Sequence, residues 1–179
     1  MPRLFTGLEI PPEIAFALSL KRGGLHGARW IDTENYHITL RFIGDVDYKT
    51  ASEIEDSLER LANGLSFSVR INHLGGFGGN KPHALYAGVE MNETLNRLQA
   101  AHERVLQRIG LEPESRKYTP HVTLARLRHT QPEELAIYLA GMGRFEPLQF
   151  EVGRFVLFSS RDSVGGGPYV VEQSYPLAA

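Results

Sequence analysis

The chain has 179 residues, a formal net charge of −2, 42% hydrophobic residues and no cysteine. This apolar content is enough for a globular core, and the charge argues against a strong general field for long nucleic acid. Without cysteine there are no disulfides, thiolate metal sites or cysteine nucleophiles. The sequence lacks an apolar run of the ~18 residues that cross a bilayer and a secretory signal pattern, so we expect a cytoplasmic protein without a membrane partner.

The first half of the chain predicts strands that alternate with two helices. The first helix opens at Pro11-Pro12-Glu13 and stops at Gly23-Gly24, and the second begins at Asp47. A glycine-rich loop at 75–79 is predicted to form the rim of a site. The predicted strands are 3–9, a short extended stretch at Trp30, 36–43 and 67–71.

The second half predicts the same kinds of element. A helix with apolar residues at helical spacing runs from Leu95 to a stop at Gly110. The sequence Thr130-Gln-Pro-Glu133 predicts a capping box at the start of another helix, whose buried face carries Leu135, Tyr138, Leu139 and Met142. The predicted strands are 85–89, 121–127, 150–158 and 169–175, with a turn at Gly165-Gly166-Gly167 before the last.

An internal duplication links the two halves. The sequence His37-Ile-Thr39-Leu returns as His121-Val-Thr123-Leu after 84 residues. A helix start and a further strand follow at matching distances in both copies. Such self-similarity is the signature of a structural unit used twice, so we expect two pseudo-symmetric lobes that face each other across a cleft.

The repeated motif predicts a catalytic constellation. Side chains alternate along a strand, so each His and Thr project from one face while the intervening apolar residues enter a core. One neutral imidazole takes a proton from water and one charged imidazole protonates a leaving oxygen. The two threonine hydroxyls donate hydrogen bonds to phosphate oxygens. This is the equipment for opening a cyclic phosphodiester without a metal.

The other histidines have structural interpretations. His102 lies on the apolar stripe of its helix and is predicted to be packed there. The rest are placed in loops or at element ends: His26, His73, His83 and His129. No short His, Asp or Glu ligand spacing accompanies either motif, which argues against a zinc site. We therefore predict no metal and no cofactor.

At these residues the sequence resembles the two-histidine (2H) phosphoesterase superfamily, and within it the bacterial and archaeal RNA 2′,3′-cyclic phosphodiesterases, also called 2′-5′ RNA ligases. The similarity spans nearly the whole chain. It is carried by Arg3-Leu-Phe-Thr-Gly-Leu-Glu-Ile-Pro11, by Glu34-Asn-Tyr-His-Ile-Thr-Leu-Arg-Phe-Ile-Gly44 after Trp30, by Pro120-His-Val-Thr-Leu-Ala-Arg126, and by Gly167-Pro168-Tyr169 and Tyr175-Pro176-Leu177 near the end.

The resemblance implies an α+β fold in which residues 1–179 form a single domain of two lobes. Each lobe is expected to have an antiparallel sheet and flanking helices, with the catalytic cleft between them. It also implies hydrolysis of RNA 2′,3′-cyclic phosphate ends, such as those of tRNA, to 2′-phosphates, and reverse 2′-5′ joining without ATP.

In these roles His37 is the proton donor, His121 is the proton acceptor, Thr39 and Thr123 hold the phosphate, and Arg126 assists in binding substrate. Arg126 lies five residues after His121, so an ideal strand points it to the opposite face and a bulge or strand end is required. The family usually has Pro followed by Arg before the third helix, whereas this chain has Pro82-His83.

Two alternatives stay open at this stage. The cleft is a non-catalytic module that binds a nucleotide or an RNA end, or it hydrolyses another cyclic or 2′-5′-linked nucleotide. The expected partners are RNA ends with a 2′,3′-cyclic phosphate or small cyclic nucleotides, and we expect a monomer. Candidate aromatic residues for stacking on a base are Trp30, Phe77, Tyr118 and Tyr169.

Overall fold

The two motif strands lie side by side near the middle of one antiparallel sheet. The structure is a computed structural model that describes residues 2–160 and 167–179, with nine strands and four helices in these ranges. The strands are β1 (Arg3–Glu9), β2 (Ala28–Trp30), β3 (His37–Asp45), β4 (Phe67–Phe77), β5 (Ala84–Val89), β6 (His121–Leu127), β7 (Leu148–Val152), β8 (Arg154–Ser160) and β9 (Tyr169–Pro176). The helices are α1 (Pro12–Ser19), α2 (Tyr48–Glu59), α3 (Glu93–Ile109) and α4 (Pro132–Gly141), with a short 3₁₀ helix at Thr33–Asn35.

The predicted α+β fold with two halves is confirmed. The sheet order is β7-β4-β5-β6-β3-β1-β8-β9, and β2 pairs with β6. One half is β3-β1-β8-β9 and the other is β6-β5-β4-β7. The two halves meet where β3 lies beside β6, in the register pair Ile38 with Val122. The lobes are therefore joined into one sheet at the two motif strands.

Each half of the sheet takes two strands from the other half of the chain, β8 and β9 in one case and β4 and β5 in the other. β4 follows the first motif in sequence but pairs with β5, beside the second motif. β8 follows the second motif but pairs with β1, beside the first. This exchange makes each catalytic strand depend on both halves of the chain.

The helices build a shared core behind the motif strands. Ile38 and Val122 are fully buried in one cluster with apolar residues from all four helices. The imidazole of His102 on α3 is also fully buried, where it packs edge-on against Phe155 at 4.7 Å. The predicted packing role of His102 is confirmed, and the face of the motif strands opposite the core is left for the site.

Several local predictions are confirmed. Asp47 caps α2 by accepting a hydrogen bond from the backbone N–H of Thr50. Gly110 ends α3 at φ 110°, in the left-handed region that favours glycine. Leu135 and Tyr138 are buried on α4 as predicted, whereas Met142 is exposed.

Other local predictions are wrong. α4 starts at Pro132 with Gln131 as its N-cap residue and without a side-chain capping bond, so no capping box forms. Pro132 takes the first helical position, which proline favours, and this places Thr130 one residue before the N-cap. α1 already ends at Ser19, before the predicted glycine stop.

The strand boundaries also differ in three places. β4 continues to Phe77 because its glycines pair with β5, so the predicted loop shrinks and His73 lies inside a strand. The predicted strand 150–158 is interrupted at Gly153, where β7 leaves β4 and β8 joins β1. The predicted turn at Gly165 and Gly166 lies outside the described residues.

Candidate active site

Both motifs line one cleft of about 640 Å³. Each has the burial pattern expected for alternation, with a half-buried His and Thr on the cleft side and buried apolar residues between them. The structure therefore brings together the five residues that sequence analysis assigned to the site: His37, Thr39, His121, Thr123 and Arg126.

The two imidazoles are held by the same kind of hydrogen bond. Nδ1 of His37 lies 2.9 Å from the carbonyl oxygen of Asn35, and Nδ1 of His121 lies 2.6 Å from the carbonyl oxygen of Thr119. A carbonyl oxygen only accepts, so each Nδ1 carries the hydrogen and each neutral ring keeps its lone pair on Nε2. Both rings are thereby set in the tautomer that accepts a proton at Nε2.

His37 and Thr39 form a unit. Nε2 of His37 lies 3.0 Å from the hydroxyl oxygen of Thr39. When His37 is neutral, this hydroxyl donates to Nε2, and when His37 is charged, Nε2–H donates to the hydroxyl. The hydroxyl can instead rotate toward a bound oxygen, so the pair can exchange its internal hydrogen bond for one to a ligand.

Aromatic rings flank both imidazoles. Phe5, Tyr169 and Phe158 lie 4.9, 5.0 and 5.5 Å from the ring of His37, measured between centroids. Phe77 and Tyr86 lie 4.8 and 5.4 Å from the ring of His121. These aromatic rings restrict the orientation of each imidazole and exclude water from one side of it. The loss of water disfavours the charged form of the imidazole.

The pKa values follow from this burial. Burial lowers the pKa of His37 to about 4, against a raising effect from its bond to Asn35, and the charges of His121 and Arg126 lower it further. Burial also lowers the pKa of His121, and Arg126 adds to that effect. In the free protein His37 is therefore neutral near pH 7.

Arg126 reaches the cleft because β6 carries the bulge that the sequence required. Tyr86 pairs with Thr123 and Leu85 with Ala125, which leaves Leu124 as the additional residue. Leu124 and Ala125 are both buried, so the alternation of buried and cleft-facing side chains shifts by one residue and Arg126 faces the cleft. The charge of Arg126 lowers the pKa of both imidazoles.

β3 has an equivalent bulge, which sequence analysis missed. Thr6 pairs with Arg41 and Gly7 with Thr39, so Leu40 is the additional residue. Phe42 then turns into the cleft with 53% of its surface exposed. Phe42 and Arg126 are 84 residues apart, the spacing of the two histidines, and this equivalence was available from the sequence.

The residues that hold the imidazoles were also missed, although the same spacing relates Asn35 to Thr119. The Asn35 side chain also accepts a hydrogen bond from the backbone N–H of Tyr169 at 3.2 Å. Of the stacking candidates, Phe77, Tyr118 and Tyr169 line the cleft, whereas Trp30 packs near Tyr138 at 6.2 Å.

Residues 2–160 and 167–179 contain no group of three or more His, Asp or Glu side chains arranged to hold a metal ion. None of their helices is long and apolar enough to span a membrane.

Residues 20–163 match the family model of the 2′-5′ RNA ligase superfamily. This chain belongs to that superfamily. An RNA 2′,3′-cyclic phosphodiesterase of Thermotoga maritima is 31% identical over 177 residues, which cover 94% of this chain and 92% of the relative. One of Aquifex aeolicus is 31% identical over 172 residues, which cover 93% and 89% of the two chains.

Solved structures of other proteins have the same fold. The protein TT0787 of Thermus thermophilus superposes with a TM-score of 0.81 at 24% identity and covers 98% of this chain and 97% of its own. Escherichia coli LigT in complex with 3′-AMP superposes with a TM-score of 0.77 at 20% identity and covers all of both chains. At these identities the likeness establishes the fold alone.

Proposed function

We propose that this chain is an RNA 2′,3′-cyclic phosphodiesterase that opens cyclic phosphate ends to 2′-phosphomonoesters by two-histidine acid–base catalysis. The observation that carries the proposal is the pair of His-x-Thr motifs on adjacent strands, which line one cleft with their Nδ1 atoms tied to carbonyl oxygens. The names of the two bacterial relatives support the same activity.

The reaction needs one proton acceptor and one proton donor. His121 takes a proton from water, the water oxygen forms a bond to phosphorus, the bond from phosphorus to the ribose O3′ breaks, and His37 gives its proton to O3′. Thr39, Thr123 and Arg126 bind the non-bridging oxygens, where negative charge develops. With the 5′-hydroxyl of a second RNA in place of water, the same step joins the two RNA ends. His121 takes the proton of that hydroxyl, O5′ forms a bond to phosphorus, the bond to O3′ breaks, and His37 gives its proton to O3′, which leaves a 2′-5′ linkage.

The donor role requires that His37 become charged in the complex. Its pKa of about 4 in the free protein reflects burial and two neighbouring positive charges. A bound phosphodiester anion offsets those charges and raises the pKa of both imidazoles. Substrate binding therefore supplies the electrostatic condition under which His37 carries its proton.

Both motifs come from one chain, so the site needs no second subunit. We propose a monomeric single-domain enzyme that acts in the cytoplasm on RNA ends or on small cyclic nucleotides. Size-exclusion chromatography with light scattering measures the oligomeric state.

A product assay tests the proposal. An oligoribonucleotide that ends in a 2′,3′-cyclic phosphate is incubated with the protein in EDTA, and we expect complete turnover to a 2′-phosphate end. The His37→Ala variant, purified in parallel, controls for contaminating nucleases. A 3′-phosphate product would reverse the bond assignment, loss of activity in EDTA would indicate a metallohydrolase, and tight binding without turnover would indicate a binding module.

A further inference from the structure

We propose that Tyr118 is a positioning residue whose hydroxyl sets the spacing between the two His-x-Thr strands. The proposal rests on the proposed function, because it concerns how the two motifs are held for one reaction. Tyr118 lies three residues before His121 and lines the cleft.

The sheet holds the two motif strands together at one described point. In residues 2–160 and 167–179, β3 and β6 share the register pair Ile38 with Val122, whereas β1 with β3 and β5 with β6 pair over many residues. Main-chain pairing therefore fixes each motif strand within its own half better than it fixes the two motifs to each other.

The Tyr118 hydroxyl supplies a second connection. It donates to the carbonyl oxygen of Thr39 at 2.8 Å. Thr39 is the residue whose own hydroxyl contacts Nε2 of His37. The hydrogen bond thus fastens the segment that leads into the second motif directly to the backbone of the first.

The same segment controls His121. Thr119 follows Tyr118 in the chain, and its carbonyl oxygen accepts the Nδ1 hydrogen of His121. This bond raises the pKa of His121 against the effect of burial. A shift of Tyr118 therefore displaces the group that sets both the tautomer and the proton affinity of His121.

The start of the connection between α3 and β6, at residues 112–114, is held by side chains of β3 and α3. The largely buried Arg41 on β3 pairs with Glu103 on α3 and also donates to the carbonyl oxygen of Glu112. Glu103 accepts from the backbone N–H of Glu114 at 2.8 Å. Residues 115–117, which separate these anchors from Tyr118, are exposed. The hydrogen bond of Tyr118 to Thr39 is therefore the contact that holds the chain in place just before His121.

The Tyr118 hydroxyl can keep donating this hydrogen bond at every pH at which the histidines titrate. Burial raises the pKa of this phenol, so it stays protonated across the range in which the histidines titrate. A phenylalanine at this position keeps the ring and its packing and loses only the hydrogen bond, which separates positioning from core packing.

The test compares Tyr118→Phe with two matched variants. The hydroxyl of Tyr138 donates to the Lys21 carbonyl and that of Tyr175 to the Glu55 carbonyl at 3.2 Å, and neither residue lines the cleft. Tyr138→Phe and Tyr175→Phe therefore remove the same kind of bond outside the site. Imidazole pKa values are measured by NMR titration, and kcat is measured with adenosine 2′,3′-cyclic phosphate.

We expect the pKa of His121 to fall in Tyr118→Phe and to stay unchanged in both controls, because a displaced Thr119 carbonyl stabilises the charged ring less. We expect kcat to fall on the order of tenfold with a smaller change in KM, as misplacement of a catalytic group does. An unchanged His121 pKa would overturn the positioning role even with an active wild type. An inactive wild type would instead reject the proposed function, and the titration would still decide the contact.

Discussion

The two histidines occupy equivalent positions but have different supports. The carbonyl that holds His37 belongs to Asn35, a buried residue at the end of the 3₁₀ helix, whose side chain is itself bound to Tyr169. The carbonyl that holds His121 belongs to Thr119, an exposed residue at the end of an exposed connection. The first support is part of the core, and the second depends on contacts made by Arg41 and Tyr118.

The cleft is asymmetric in a second respect. The equivalent bulges place an apolar ring at Phe42 and a guanidinium at Arg126. A duplicated backbone unit thus keeps the geometry of the motif, while the side chains at this pair of equivalent positions differ in charge. Acid and base roles in a duplicated site need such differences, because identical surroundings would give identical pKa values.

The largest effect is expected from removing either imidazole. His37→Ala and His121→Ala should each lose roughly a hundred- to ten-thousand-fold in kcat and remain folded, because both side chains lie at the cleft surface. The exposed His26, paired with Glu134, gives the control variant His26→Ala, which should keep full activity.

A modified substrate separates the donor from the acceptor. In an analogue with sulfur in place of O3′, the leaving thiolate does not need a proton. The variant that lacks the donor should therefore recover much of its loss on this analogue, and the variant that lacks the acceptor should not. Recovery in His121→Ala instead of His37→Ala would exchange the two roles.

The next effect concerns pH and Arg126. Burial and the charge of Arg126 lower the pKa of both imidazoles below the ordinary 6.5, that of His37 to about 4. The free enzyme with one charged and one neutral ring is most abundant between the two pKa values, so kcat/KM should peak below pH 6.5. Removing the positive charge in Arg126→Met raises both pKa values and should move the peak to higher pH. The variant should also lose about ten- to a hundredfold in kcat/KM, because a hydrogen-bond donor to the phosphate is removed.

The exposed Arg128, outside the cleft lining, provides the matched variant Arg128→Met. Its pH profile should coincide with that of the wild type. A peak that moves to lower pH in Arg126→Met, or that moves equally in both variants, would contradict the electrostatic role of Arg126.

The smallest effect on rate is expected at the support of His37. Asn35→Ala removes the side-chain bond to the Tyr169 backbone and should lower the free energy of unfolding by about 1 kcal/mol. The carbonyl that holds Nδ1 is part of the main chain and stays in place, so kcat should change less than in Tyr118→Phe. Urea denaturation compares this variant with Asn63→Ala, whose exposed side chain donates to the carbonyl of Arg60, three residues before it. A larger loss of kcat than in Tyr118→Phe would show that the first support is the weaker one.

Sequence reasoning predicted which side chains share a face better than where the elements begin and end. The four His and Thr side chains of the repeat line one cleft as predicted, because alternation along a strand is a local property. The capping box at Thr130 was wrong because Pro132 takes the first helical position, which makes Gln131 the N-cap residue. The loop predicted at 75–79 failed because glycine signals a turn locally, whereas pairing with β5 keeps most of this stretch in a strand.

From the amino-acid sequence it follows that two equivalent motif strands exist, which of their side chains share a face, and that Arg126 needs a bulge to join them. Two other features follow from the tertiary structure instead, namely the exchange of strands between the two halves of the sheet and the hydrogen bond from Tyr118 to the Thr39 carbonyl. The first set follows from the periodicity of the backbone, which neighbouring residues express. The second set depends on which distant segments bury each other's apolar faces, and local periodicity does not specify those partners.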